Sequence, residues 1–277
     1  MKAPVSISRN GHRTLLKWHR ARRFAQDTAF TGRRILECMQ AGGSIEIDLQ
    51  VNGDGTFVVL HDELLEQSTS GKGPVNKASA VQLAALFLKD DTGGNSGEKV
   101  MLLDDLAELV AQGAVGEGAV LQLDLKDGLD AFHDNTVASF ADAIAPVAGH
   151  MILSGMHADA VLRLADALEG LPVGYDPCNE AAVRQTIATG VYQDFVERAL
   201  ATAPWASMIY LEHRFVLQAD AAGFDMIGAF HEAGKLVDAW TLHAVTNETR
   251  PMIERLLALK VDQITTDDPE GFCAQIS

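Results

Sequence analysis

Residues 44–62 read SIEIDLQVNGDGTFVVLHD, and the rest of the chain is organised around this stretch. In 44–50 the apolar Ile45, Ile47 and Leu49 alternate with Glu46, Asp48 and Gln50, the period of a strand whose two faces differ. Asn52-Gly53-Asp54-Gly55 then supplies a turn that favours a hairpin. The run 56–61 (TFVVLH) is therefore expected as an extra strand lying beside the main sheet.

Outward from this stretch, short β-rich runs alternate with Ala/Leu-rich helical segments along the whole chain. Strands are expected at 15–19, 44–50, 120–126, 151–154, 172–176, 207–211, 237–242 and 263–266. Periodic segments such as 158–168, 179–189 and 250–259 carry apolar residues at i, i+3 and i+4, the stripe of an outer helix. Eight strand–helix units predict an α/β fold, a closed TIM (β/α)8 barrel, spanning 1–277 as one catalytic domain. At 277 residues the length accords with this, since α/β barrels use about 250 residues for one domain. Residues 62–99, with Ser/Gly-rich stretches, a short helical segment near 80–86 and a polar run at 90–98, read as an insertion at the barrel mouth, a lid in expectation.

The formal charge of −16 argues against nucleic acid and anionic membranes as partners, because binding them needs basic patches. No apolar run approaches the ~18 residues that span a bilayer, and no signal core opens the chain. A cytoplasmic protein with a small-molecule partner and no stable membrane association is expected; the oligomeric state is not legible. Cys38, Cys178 and Cys273 are scattered, without the spacing of a thiolate zinc site, and are expected as reduced, mostly buried thiols.

Catalytic groups of a barrel lie at the C-terminal ends of its strands. Those ends carry His19-Arg20, Glu46 and Asp48, His61-Asp62, and Asp124 with Lys126. Side chains two apart on a strand share a face, so Glu46 and Asp48 point together into the mouth and Asp124 and Lys126 join them from the next strand. Converging carboxylates repel unless a cation shares them, and oxygen-only ligands favour a hard divalent ion over zinc. Arg20 and Lys126 can then hold a phosphate, the first through a fork of donors and the second as a point charge. Histidine as a residue type ordinarily titrates near neutrality, so His19 and His61 are candidates to exchange the proton of an attacking or leaving oxygen. A single His or Asp on a strand is usually structural; the coincidence of these groups at adjacent strand ends is what gives them weight. Trp240 reads as either a core aromatic or a wall for the alcohol part of a substrate. Glu212 and His213 follow a late strand at the same end, and His12-Arg13 precedes the first strand and reads as a decoy of His19-Arg20.

In this order, His19-Arg20, Ile45-Glu46-Ile47-Asp48, Asp54-Gly55 and Val58-Val59-Leu60-His61-Asp62 resemble the N-terminal signature of the glycerophosphodiester phosphodiesterases. The similarity continues through Ser68-Thr69-Ser70-Gly71-Lys72-Gly73, Leu123-Asp124-Leu125-Lys126, Trp240-Thr241 and Ile264-Thr265-Thr266-Asp267-Asp268-Pro269. The resemblance implies a TIM barrel with a small insertion, a divalent metal on Glu46, Asp48 and Asp124, phosphate on Arg20 and Lys126, and His19 and His61 as the acid/base pair. Four stretches depart from the family's pattern: Ala21 replaces Gly, Gln26-Asp27-Thr28 replaces Glu-Asn-Thr, Asp124 replaces Glu, and His243 replaces Asn. The shorter Asp124 favours Mg²⁺ or Mn²⁺ over Ca²⁺, because Mg²⁺ keeps bridging water more readily.

The expected reaction is metal-dependent hydrolysis of a glycerophosphodiester to glycerol phosphate and an alcohol, with His61 favoured as base and His19 as acid. Two alternatives stay open at this point. One is a metal-dependent lyase or racemase acting on a carboxylic acid, and the other is a noncatalytic barrel that binds a phosphate ligand.

Overall fold

The computed structural model describes residues 3–276, and among them eight parallel strands form a barrel. They are β1 (His12–Trp18), β2 (Ser44–Val51), β3 (Val120–Leu125), β4 (Met151–Gly155), β5 (Gly174–Tyr175), β6 (Met208–Glu212), β7 (Leu236–Leu242) and β8 (Gln263–Thr266). Each pairs with its sequence neighbour except β4 and β5, which meet through the single bridge Leu153–Val173, and β8 pairs with β1. The seam between β4 and the short β5 is closed by the Leu153 N–H donating to Pro172 O at 3.0 Å and the Asp176 N–H to Gly155 O at 3.2 Å.

Strand β2 shows why this sequence closes a barrel. Ile45, Ile47 and Leu49 are fully buried, as are Ile35, Met39 and Leu106 of the flanking helices Gly32–Gln40 and Leu103–Gln112. Glu46 and Asp48, on the opposite face, are also buried but line the barrel's central cavity. Fully burying an aliphatic side chain stabilises by about 1.5–3 kcal/mol, so reversing the strand would lose the apolar contacts and strand the carboxylates against the helices. The register sets Asp48 beside Asp124 and Asp124 beside Ser154.

The expected hairpin is present: Phe57–Val59 runs antiparallel to β2. Helices occupy all three periodic segments, at Ala158–Ala165, Glu180–Thr189 and Arg250–Ala258. The helix Glu180–Thr189 is capped by the Asn179 side chain and stopped by Gly190 at φ +70°. Within 62–99 lie the helix Ala80–Ala85, with a Ser79/Gln82 capping box, and a hairpin of Phe87–Lys89 with Asn95–Lys99. Two features differ from expectation. Strand Ser6–Arg9 pairs antiparallel with the start of β1 across Asn10-Gly11, both at positive φ, so β1 begins at His12 rather than Leu15. It ends at Trp18, and His19–Ala21 forms a 3-10 turn. Among the described residues, no helix is long and apolar enough to cross a membrane.

Candidate active site

The turn after β1 has Arg20 and Ala21 at φ +51° and +59°. Left-handed backbone costs a non-glycine residue about 1–2 kcal/mol, and here it places the Arg20 N–H on Glu46 Oε2 at 2.8 Å and Arg20 Nε on Asp48 Oδ2 at 3.2 Å. Ala21 accepts the conformation with only a methyl group. From β3, Asp124 faces the same space, and Lys126 just beyond it sits between two carboxylates, 2.6 Å from Asp48 Oδ1 and 2.5 Å from Asp124 Oδ2.

Glu46, Asp48 and Asp124 each offer an oxygen within 4.8 Å of the others. Burial pushes the Glu46 carboxyl well up, and neighbouring Asp48 pushes the same way. Burial acts to raise Asp48 as well, but Lys126 and Arg20 overcome it and hold this carboxyl below the usual range. Lys126 also titrates high: burial opposes its charge, while Asp124, Asp48 and Glu46 favour it more strongly. Both Asp48 oxygens are buried with no aligned hydrogen bond among the described residues, although the two cations lie close. The donor set is all oxygen and carries unused lone pairs, so it fits a hard divalent ion.

Two histidines flank this cluster, each with a carboxylate on Nδ1. His19 donates to Asp267 Oδ1 at 2.7 Å, leaving Nε2 4.0 Å from Glu46 Oε2. His61 Nδ1 is 3.0 Å from Asp62 Oδ1. Asp267 also takes Arg22 at 3.0 Å and His243 Nδ1 at 2.5 Å, and although burial works against its charge, these partners and His19 hold it below the usual carboxylate range. Burial lowers the His19 pKa, only partly offset by the bond to Asp267.

All eight candidates, His19, Arg20, Glu46, Asp48, His61, Asp124, Lys126 and Trp240, line one cavity of about 740 Å³ at the C-terminal end of the barrel. Glu212 and His213 line it too, but each has structural work: Glu212 caps the helix His213–Ala221, and His213 Nδ1 lies 2.9 Å from Trp240 O. The Trp240 indole N–H is buried without a partner among the described residues. His12 and Arg13 lie elsewhere, His12 on Val261 O and Arg13 on Ser6. A second cavity of about 190 Å³ shares Arg20 and His61 with the first and is walled by residues of 62–99, including Ser68, Leu88 and Lys89. Gln26 and Thr28 belong to a loop stapled by Asp27, which accepts the Arg23 and Phe24 N–H groups and pairs with Arg34.

Sequence reasoning missed Asp267 as the partner of His19, and also Asp176, Lys17, Gln122 and Ser154. Asp176 faces the cavity from the end of β5, and burial raises its pKa to about 7. The Asp267-Asp268-Pro269 motif was a usable signal; the others are lone polar residues on or beside apolar strands.

Residues 38–271 match the Glycerophosphoryl diester phosphodiesterase family. The chain belongs to this family. The glycerophosphodiester phosphodiesterase of Caldanaerobacter subterraneus subsp. tengcongensis is 27% identical over 120 residues, 42% of this chain and 47% of that protein, so the match spans about half of that relative's length. The Oleispira antarctica phosphodiesterase in complex with the product sn-glycerol-3-phosphate superposes with TM-score 0.65 at 20% identity, covering 94% of this chain and 96% of that one. The glycerophosphodiester phosphodiesterase of Thermotoga maritima gives TM-score 0.62 at 20% identity over 95% and 98%. These structures share the barrel fold of the family.

Proposed function

We propose that the chain is a metal-dependent phosphodiesterase that hydrolyses glycerophosphodiesters to glycerol phosphate and an alcohol. The observation that carries this reading is the convergence of Glu46, Asp48 and Asp124 between two carboxylate-backed histidines in one cavity. Family membership and the product bound to the Oleispira antarctica relative support the substrate class.

A divalent ion on the three carboxylates would act as a Lewis acid toward the phosphoryl oxygens. Mg²⁺ or Mn²⁺ is favoured over Ca²⁺ on account of the short Asp124. Arg20 and Lys126 are the cations near enough to take the nonbridging oxygens; to do so, each exchanges part of its hold on Asp48 for the phosphate. His19 is suited to the base role, the reverse of the preference drawn from sequence. Asp267 fixes the proton on Nδ1, and burial favours the neutral ring, so Nε2 is left to accept a proton from the nucleophile. His61, nearer to solvent and shared with the smaller cavity, is placed to protonate the departing alkoxide. Residues 62–99 act as a lid over that smaller cavity, where the alcohol leaves, and Trp240 offers its indole N–H to the substrate in the larger one.

A panel of glycerophosphodiesters with different alcohols, assayed with Mg²⁺, Mn²⁺ and Ca²⁺ for released glycerol phosphate, tests this function. Release from several diesters, with a carboxylic-acid panel untouched, supports it. Turnover of a carboxylic acid without phosphate chemistry, or tight binding of the diesters with no product under any metal, contradicts it.

A further inference from the structure

We propose that Lys17, Gln122 and Ser154 form a one-way chain of hydrogen bonds that positions Asp124. The inference rests on the reading of Glu46, Asp48 and Asp124 as a metal site and adds to it the part of the barrel that sets one ligand. Lys17 is 1% exposed and pairs with Asp238 Oδ2 at 3.0 Å, while Thr265 donates to Asp238 Oδ1 at 2.7 Å. The Lys17 ammonium also donates to Gln122 Oε1. Gln122 Nε2 donates to Ser154 Oγ at 2.8 Å, and Ser154 Oγ donates to Asp124 Oδ1 at 3.0 Å.

The direction of this chain follows from donor chemistry. An ammonium has no acceptor, so it takes the oxygen end of the Gln122 amide, and the NH₂ end is turned toward Ser154. The serine oxygen then receives a donor, and its single hydrogen is left to face Asp124. A lysine three links away thereby determines that the hydroxyl presents a donor, rather than an acceptor, to the carboxylate.

The geometry gives this a purpose. The other Asp124 oxygen is held at 2.5 Å by Lys126, which also lies 2.6 Å from Asp48 Oδ1. Ser154, beside Asp124 in the register of β3 and β4, holds the opposite oxygen. Two opposed hydrogen bonds fix both oxygens of a side chain too short to adjust by an extra rotatable bond. Interior positions of such barrels are usually Val, Ile or Leu, and a buried lysine pair is costly where apolar residues would pack. A role in orienting a ligand accounts for a polar layer that stability alone does not call for.

The test is calorimetric titration of the full chain with Mg²⁺ or Mn²⁺ alone, without substrate, beside the melting temperature of the metal-free protein. Removing such a support lowers metal affinity by roughly 10–100-fold. That loss is expected for Ser154→Ala with folding retained, while Ser154→Thr, which keeps the hydroxyl, restores affinity. In an Asp124→Glu background the carboxylate passes beyond the hydroxyl, and Ser154→Ala has little further effect. Should the alanine variant fail to fold, Ser154→Cys keeps the volume with a weak donor and is expected to show the same loss. Wild-type affinity in the variant that lacks the hydroxyl, or an equal loss in the Asp124→Glu background, overturns the inference. A wild-type chain that takes up no divalent ion overturns the metal reading beneath it.

Discussion

In the proposed mechanism, His19 and His61 act through what each imidazole leaves free. Nδ1 of each lies against a carboxylate, Asp267 or Asp62, which leaves Nε2 as the atom available for proton transfer and would steady an imidazolium when it forms. His19→Ala and His61→Ala are each expected to lower kcat by at least roughly 10²-fold, the lower end of a general acid/base contribution, with unchanged circular dichroism. Normal turnover by either folded variant removes that residue from the mechanism. Asp176 makes a prediction in pH. Its folded pKa of about 7 lies above the ordinary carboxylate value because burial disfavours the charge. The folded state therefore holds a proton that the unfolded chain releases, and stability falls as pH rises from about 4 to about 7. Asp176→Asn, which keeps the neutral shape, is expected to melt higher than wild type at pH 8, with the difference vanishing below about pH 4. A pH-independent difference in melting temperature would contradict the burial account. These residues also mark the limit of sequence reading. Glu46 and Asp48 were legible because they share a face within one strand. Asp267 lies 248 positions from His19 and Gln122 lies 105 from Lys17, and no periodicity joins such pairs.

At the scale of elements, the hairpin Phe87–Lys89/Asn95–Lys99 joins the insertion to the site, because Leu88, Lys89, Asp90 and Asp91 wall the small cavity that shares Arg20 and His61 with the large one. The tip is built by the Asp90 carboxylate, which accepts the Thr92 and Gly94 N–H groups at 3.0 and 2.8 Å. Replacing 90–94 by an Asn-Gly turn is expected to change relative kcat/KM among leaving alcohols while metal affinity stays within a few fold. An equal loss on every alcohol with weakened metal binding would make the hairpin a structural support instead. The core of the barrel was legible element by element, since outward Ile45, Ile47 and Leu49 and inward Glu46 and Asp48 follow a strict period of two. The start of β1 was not: its first residues are held by Ser6–Arg9, and the hairpin signal Asn10-Gly11 sits inside a polar stretch without flanking alternation. The insertion has no period at all, and its fold comes from local devices such as the Ser79 cap and the Asp90 turn.

For the whole molecule, a charge of −16 surrounds a cavity proposed to take an anionic diester. The site answers that field locally, with Arg20 and Lys126 beside the carboxylates, and a divalent ion on those carboxylates would complete the balance. In the proposed function, Glu46, Asp48 and Asp124 hold this ion and hydrolysis depends on it. The direct measurement is glycerol phosphate release by chelator-stripped protein as Mg²⁺ or Mn²⁺ is added back, wild type beside Asp48→Asn. No release without metal, saturable recovery in wild type, and a large loss of recovery in the variant are expected. Full activity of the stripped wild type, or equal recovery by folded Asp48→Asn at the same metal concentration, would contradict the account.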